Sequence, residues 1–279
     1  MPALVGRPAP PGSTIGVVTP GSPPETRAEV ERGIAWWESQ GYRVKLMPGA
    51  LERDDWHAGS PEVRAVRRRS SVSPTSPRST LRSWRVRGWP PSTGRASRWS
   101  GNHRPRASPA SVFCRCFAAK PRARFPEDSE RLTVVSIAGG KATGTLVGGC
   151  LLDFIFTIGT PWEPDLDGSI FFFEDSGSAP IQVDRALLYL EQLGKFDYVR
   201  GIVAGELAGC EWDNFKTAPR SKTLEEVLTG RLGELGVPVL YNLPLGHGAS
   251  LATLPLGVQA TVDAEANTLT IDEPALAES

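Results

Sequence analysis

GSIFFFEDSGSAPIQVDR, residues 168–185, is the stretch from which the fold is read. Ile170–Phe173 is an apolar, β-prone run of the length of a buried strand. It stops at two carboxylates, Glu174 and Asp175, after which Ser176, Gly177, Ser178 and Pro180 supply the chemistry of a loop. Val183, Ala186, Leu187 and Leu190 then recur at helical spacing, which predicts a helix over 183–193. A carboxylate at the end of a buried strand is costly unless something pairs with it. Strand ends are also where α/β proteins place their working groups. The chain offers a partner far downstream: His247, in the run LPLGHG at 243–248. A carboxylate that orients an imidazole is two-thirds of a nucleophilic triad, and the missing third is a nucleophile.

The same grammar extends on both sides. Upstream, IGVVTPGS at 15–22 reads as a strand running into a Gly/Pro loop, 25–40 as a helix with Val30, Ile34 and Trp37 on one face, and Tyr42–Leu46 as a second strand. Strand, helix and strand in about thirty residues is a βαβ unit, which implies a parallel sheet. Ser60 caps a further predicted helix that would begin at Pro61. Downstream, 132–137 predicts a strand, and the glycines at 139, 140, 144, 148 and 149 predict a turn-rich segment ending at Cys150. Leu151–Ile158 is apolar and fits either helix or strand. Residues 201–205 predict a strand, 224–235 a helix, 237–240 a strand delivering the His247 loop, and 257–262 with 268–271 a closing antiparallel hairpin. The fold class expected is α/β: an N-terminal parallel-sheet α/β domain beginning in residues 1–65, and a C-terminal α/β domain over 125–279.

Between them lies a segment of different character. Residues 64–124 hold 15 Arg and one Lys with no Asp or Glu, which leaves 15 basic residues against 31 acidic ones in the remainder of a chain whose formal charge is zero. From Val66 to Arg124 neither a period of 3.6 nor of 2 is sustained. Three readings fit: an arm for nucleic acid, held by counterion release; a disordered insert; or translation in the wrong frame of a GC-rich gene. The absence of acids, the abrupt boundaries and the Arg, Ser, Pro and Trp enrichment favour the third. Elsewhere the composition, 40% apolar over 279 residues, is that of a globular protein. No apolar run is long enough to span a bilayer, and the N-terminus lacks the pattern of a signal peptide. Cys114, Cys116, Cys150 and Cys210 form neither a disulfide framework nor a metal-binding pair, so reduced thiols in the cytoplasm are expected.

Several of these pieces resemble the serine LD-carboxypeptidase family, which includes murein tetrapeptide carboxypeptidases and microcin C immunity peptidases. They are IGVVTPGSP at 15–23, HAGSPEVRA at 57–65, ATGTLVGGC at 142–150, IGTPWEPDLDGSIFFFED at 158–175, VDRALLYLEQLG at 183–194, the helix begun by TLEEVL at 223–228, and LPLGHG followed by LPLGV at 254–258. The resemblance implies a Ser–Glu–His triad in which Glu174 and His247 are the matching positions, a small peptide as substrate, no metal and no organic cofactor, and a homodimer. It also implies a nucleophile in a Gly-aromatic-Ser-Asp turn and an arginine–glycine–glycine stretch at the oxyanion site. Neither occurs in this chain, and both belong to the region now occupied by 66–124. Cys150 stands where the family's GGN motif has Asn.

Each residue also has an ordinary reading. Glu174 could be a solvated strand-end acid, and His247 a turn histidine. Asp175 reads as a cap or loop acceptor rather than a second acid. Arg185 reads as the partner of a local acid, with a substrate carboxylate as the alternative. His57 and His103 have no partner visible in the sequence. A hydrolase is therefore expected by resemblance, without an identified nucleophile. A non-catalytic peptide binder and an Arg-driven nucleic-acid binder are the rivals.

Overall fold

The computed structural model describes residues 9–10, 12–17, 24, 26–47, 49–52, 124–125, 133–214, 222–247, 252 and 254–274. Residues 66–123, His57, His103, Cys114, Cys116 and the helix expected from Pro61 lie outside them. The chain divides into two units, one holding residues 9–52 and the other residues 124–125 and 133–274.

In the first unit, β1 (Thr14–Val17) and β2 (Arg43–Leu46) pair in parallel, with Ile15 opposite Val44. Between them runs α1 (Arg27–Ser39), so the βαβ unit is present. Val30 and Trp37 are buried on the predicted face. Gly41, at φ +84°, gives the helix its C-terminal exit, a conformation that costs glycine no Cβ clash.

The second unit is one eight-stranded sheet in the order β3-β10-β9-β5-β6-β7-β8-β4. Its centre is parallel: β5 (Lys141–Cys150), β6 (Ser169–Ser176), β7 (Gly201–Ala208) and β8 (Val239–Gly246). β4 (Val135–Ala138) closes one side antiparallel to β8. On the other side come β9 (Gln259–Asp263), β10 (Thr268–Ile271) and β3 (Arg124–Phe125), also antiparallel. The hairpin expected at the C-terminus is β9–β10.

Both faces of β6 are covered, which is why its sequence is apolar without alternation. Phe171 and Phe173 pack on one face with Leu151, Phe154, Val183, Leu187, Leu190, Leu224 and Leu228. Those residues come from α2 (Leu151–Ile155), α3 (Pro180–Gln192) and α4 (Leu224–Leu232). Ile170 and Phe172 pack on the other face with Leu146, Val203, Leu243 and Leu245 of the parallel strands and with Ala260 and Val262 of the antiparallel β9. α4 opens on a full capping box: Thr223 Oγ1 accepts the Glu226 N–H at 3.2 Å, and Glu226 Oε2 accepts the Thr223 N–H at 2.7 Å. Arg231 ties α4 to α3 through Asp184 at 2.7 Å.

Three expectations need correction. The glycine-rich segment before Cys150 is not turn-rich: it is the ten-residue strand β5. Gly140, at φ +108°, lies in the short connection between β4 and β5. Gly144 and Gly148 are there for close approach, since a Cβ on them would lie 2.4 Å from the Gly168 carbonyl oxygen and 1.6 Å from that of Phe172. Strand β8 also runs further than its expected end at Leu240, reaching Gly246, so His247 follows a strand directly rather than a loop. Pro180, taken as loop, begins α3, a position where its missing N–H costs nothing.

Candidate active site

Three neighbouring parallel strands, β6, β7 and β8, end on the same side of the sheet, the side on which open α/β sheets bind ligands. There Glu174, 5% exposed, meets His247, whose Nδ1 lies 2.6 Å from Glu174 Oε2. The two are 73 residues apart in sequence, and the His247 side chain is 30% exposed. The expected carboxylate–imidazole contact is therefore formed. A carboxylate accepts, so Nδ1 is the nitrogen that carries the proton toward it, and Nε2 is left as the basic one.

The regular ladder is broken where these residues sit. Phe173 pairs with Ala204, but Asp175 pairs with Leu207, so β7 advances one residue more than β6. Val203 pairs with Leu240, Gly205 with Leu243 and Glu206 with Gly246, so β8 carries further extra residues. Asn242, at φ +66°, takes up part of that excess in a left-handed conformation that Asn tolerates better than most side chains, and its Nδ2 donates to the Thr133 carbonyl at 3.1 Å. Bulges of this kind re-aim side chains near sites.

Gly246 is what lets the pair close. Its φ is +113°, and a Cβ there would stand 2.6 Å from Glu174 Oε2 and 2.7 Å from Glu174 Cβ. No other residue fits both the backbone angle and the space.

Asp175 points away from the pair. By the two-residue period of β6 it falls on the helix-covered face, where it is 3% exposed and accepts the Leu152 N–H at 3.2 Å, the Ser176 N–H at 2.7 Å and the Ser178 hydroxyl at 2.8 Å. It is a loop and helix acceptor, as its ordinary reading has it. Arg185 is exposed on α3 and makes no ion pair among the described residues; the acid beside it, Asp184, is taken by Arg231.

Cys150 sits at the β5–α2 junction, in register with Glu174. Its thiol is held above the ordinary range, first by burial and further by the negative charges of Asp175, Asp153 and Glu174, against a backbone hydrogen bond at Asp153. A thiol kept protonated is a poor nucleophile. Cys210 is fully buried and pushed up to about 11, again by burial first. The sequence does not single out Asn242; it presents Ser178 only as a loop residue, and Gly246 only as a glycine flanking His247. The Gly-His pair was the one visible signal for Gly246, and its meaning depends on a side chain in another strand.

Comparison with known proteins bears directly on this half of the chain. The LD-carboxypeptidase C-terminal domain matches residues 143–262. A protein of Synechocystis sp. that carries the name of a carboxypeptidase is 40% identical over 141 residues, 50% of this chain and 45% of that one. A probable murein peptide carboxypeptidase of Bacillus subtilis is 33% identical over 150 residues, 53% of this chain and 46% of that one. The chain thus aligns with about half the length of the curated relatives it matches. The structure of the microcin C7 self-immunity protein MccF in its wild-type apo state superposes with a TM-score of 0.73 at 20% identity, covering 98% of this chain and all of that one. A muramoyltetrapeptide carboxypeptidase from Oxalobacter formigenes gives 0.61 at 22% identity, covering 95% and 100%. At those identities the two structures speak for the α/β fold alone. The matched stretch, 143–262, takes in most of β5 and all of β6 to β8 together with Glu174 and His247, so this part of the chain is an LD-carboxypeptidase C-terminal domain.

Proposed function

We propose that this chain is the scaffold of a cytoplasmic, homodimeric serine LD-carboxypeptidase, with His247 as the base and Glu174 as its orienter, and that as written it lacks the nucleophile needed for turnover. The observation that carries the reading is the 2.6 Å contact between His247 Nδ1 and the buried Glu174 carboxylate at the ends of parallel strands. In the complete enzyme a serine Oγ attacks the carbonyl of the peptide bond before a C-terminal D-residue. His247 Nε2 takes the Oγ proton and passes it to the leaving amine as the tetrahedral adduct collapses to an acyl-enzyme. Water, deprotonated by the same nitrogen, then releases the acyl group. Glu174 fixes the tautomer throughout and stabilises the imidazolium that forms. The substrate class is a murein tetrapeptide or a peptide conjugate of similar terminus.

No Gly-aromatic-Ser-Asp turn exists in the sequence. Triad members act as a unit, and loss of the nucleophile alone costs about a million-fold in rate. The test is release of the terminal D-residue from a murein tetrapeptide. The purified chain should release none above a His247→Ala control. A variant whose residues 66–124 are replaced by a segment restoring the turn should gain release that His247→Ala abolishes. Release by the unmodified chain that disappears in the control would assign the nucleophile to a serine already present. A restored variant that binds the peptide without cutting it would favour the binding-protein reading.

A further inference from the structure

Glu174 occupies a weak point of the sheet. On its β5 side it is in register with Cys150, but on its β7 side the ladder slips between Phe173 and Asp175, so ladder pairing does not hold the strand end evenly. The next residue makes up the difference. Asp175 Oδ1 accepts the Ser176 N–H at 2.7 Å and the Ser178 hydroxyl at 2.8 Å; Oδ2 accepts the Leu152 N–H at 3.2 Å, with the Cys150 thiol at 3.8 Å. One buried carboxylate thereby joins three segments: the β5–α2 junction, the last residue of β6, and the turn that leads into α3. A side chain that needed only to cap α2 or to close the turn would reach one of these. Reaching all three clamps the peptide unit that links Asp175 to Glu174.

We infer that Asp175 is a positioning residue for the Glu174–His247 pair, holding the Glu174 backbone so that its carboxylate meets Nδ1. The inference rests on the reading of that pair as the base and its orienter. Asp175 touches no reacting atom; it acts by limiting how far the end of β6 can move. A buried acceptor with several donors is also the group whose replacement leaves the most unsatisfied partners, so its loss is felt locally and strongly.

The test uses the full chain without substrate. A proton held between an imidazole nitrogen and a carboxylate resonates at low field in the proton spectrum, and its exchange with water reports how long the pair stays closed. The wild-type chain should show such a resonance, assigned by its loss in His247→Gln. Asp175→Asn, which keeps the shape but turns one acceptor into a donor, should raise its exchange rate about tenfold or more with the far-ultraviolet circular dichroism unchanged. Leu228→Ala, a destabilising change in α4 away from the site, should leave that rate as in wild type. If Asp175→Asn does not fold, Ser178→Ala, which removes a single donor, decides instead by a smaller acceleration. Wild-type exchange in a folded Asp175→Asn chain, or in Ser178→Ala where the first variant is unfolded, would overturn the inference and leave the pair intact. Equal acceleration in Leu228→Ala would reduce Asp175 to a structural role. Absence of the resonance from the wild-type chain would overturn the pairing itself, and the inference with it.

Discussion

Gly246 shows how one residue without a side chain governs two that have them. Gly246→Ala would place a methyl 2.6 Å from Glu174 Oε2 at a φ of +113°. The strain of such a backbone angle is about 1–3 kcal/mol, and the clash adds to it. The variant should lose about that much stability in denaturant titration and lose the Glu174–His247 contact, read as disappearance of the low-field imidazole proton. Cys210 makes a second residue-scale prediction. Burial raises its thiol to about 11, above the unfolded value of about 8.5. The stabilising contribution is thus fully present below about 8.5 and lost as the pH rises through 11, because only the unfolded chain ionises easily in that window. Thiol titration with an aromatic disulfide at neutral pH should leave Cys210 unreacted until denaturant is added, and Cys210→Ala should flatten the alkaline fall in stability. At this scale the site was legible where chemistry is carried by a side chain at a strand end: Glu174, Asp175 and His247 could all be named. It was illegible where the requirement comes from elsewhere. Nothing local to Gly246 says that a carboxylate from β6 will lie against it.

Among the elements, β5 was misread in kind rather than only in extent, and the reason is physical. Glycine signals a turn when its φ is positive and a close approach when a neighbour's backbone occupies the place of its Cβ; the letter is the same in both cases. Gly144 and Gly148 lie against β6, whose position no local pattern reveals. β6 and α3 were legible because an unbroken apolar run and a 3.6-residue recurrence are properties of the segment itself. Their packing gives two predictions. Phe171→Ala removes a fully buried ring that stacks near Phe154, Phe173 and Phe196, and should cost about 3–5 kcal/mol in chemical denaturation. Thr223→Ala removes the side-chain half of the α4 capping box and should cost about 1 kcal/mol, leaving the site's proton resonance unmoved. A larger loss at Thr223 than at Phe171 would contradict the placement of the core over α2, α3 and β6.

At the scale of the whole chain, two facts have to be reconciled. The second unit, which holds the matched domain over 143–262, builds an eight-stranded sheet and brings Glu174 to His247, and no described helix is long and apolar enough to cross a membrane. Yet residues 64–124 carry 15 Arg and no acid, and the turn that should supply a nucleophile is nowhere in the chain. A segment selected to bind nucleic acid would explain the charge, but not why the Glu174–His247 pair of the proposed triad is present without a nucleophile turn. A frame error explains both, because it regroups the same nucleotides into different codons and so replaces the encoded residues. Reading the coding DNA in its other two frames across codons 66–124 should therefore reveal a Gly-aromatic-Ser-Asp turn and Asp and Glu at ordinary frequency, close to a quarter charged residues overall. The boundaries should coincide with the points where the acidic residues stop, after Glu62, and resume, at Glu127. Stop codons in both alternative frames, or open frames without the turn, would sink the explanation. A basic arm would then be the reading to pursue, and it makes its own demand: affinity of the full chain for duplex DNA that falls steeply with salt, with a slope set by the number of phosphates neutralised.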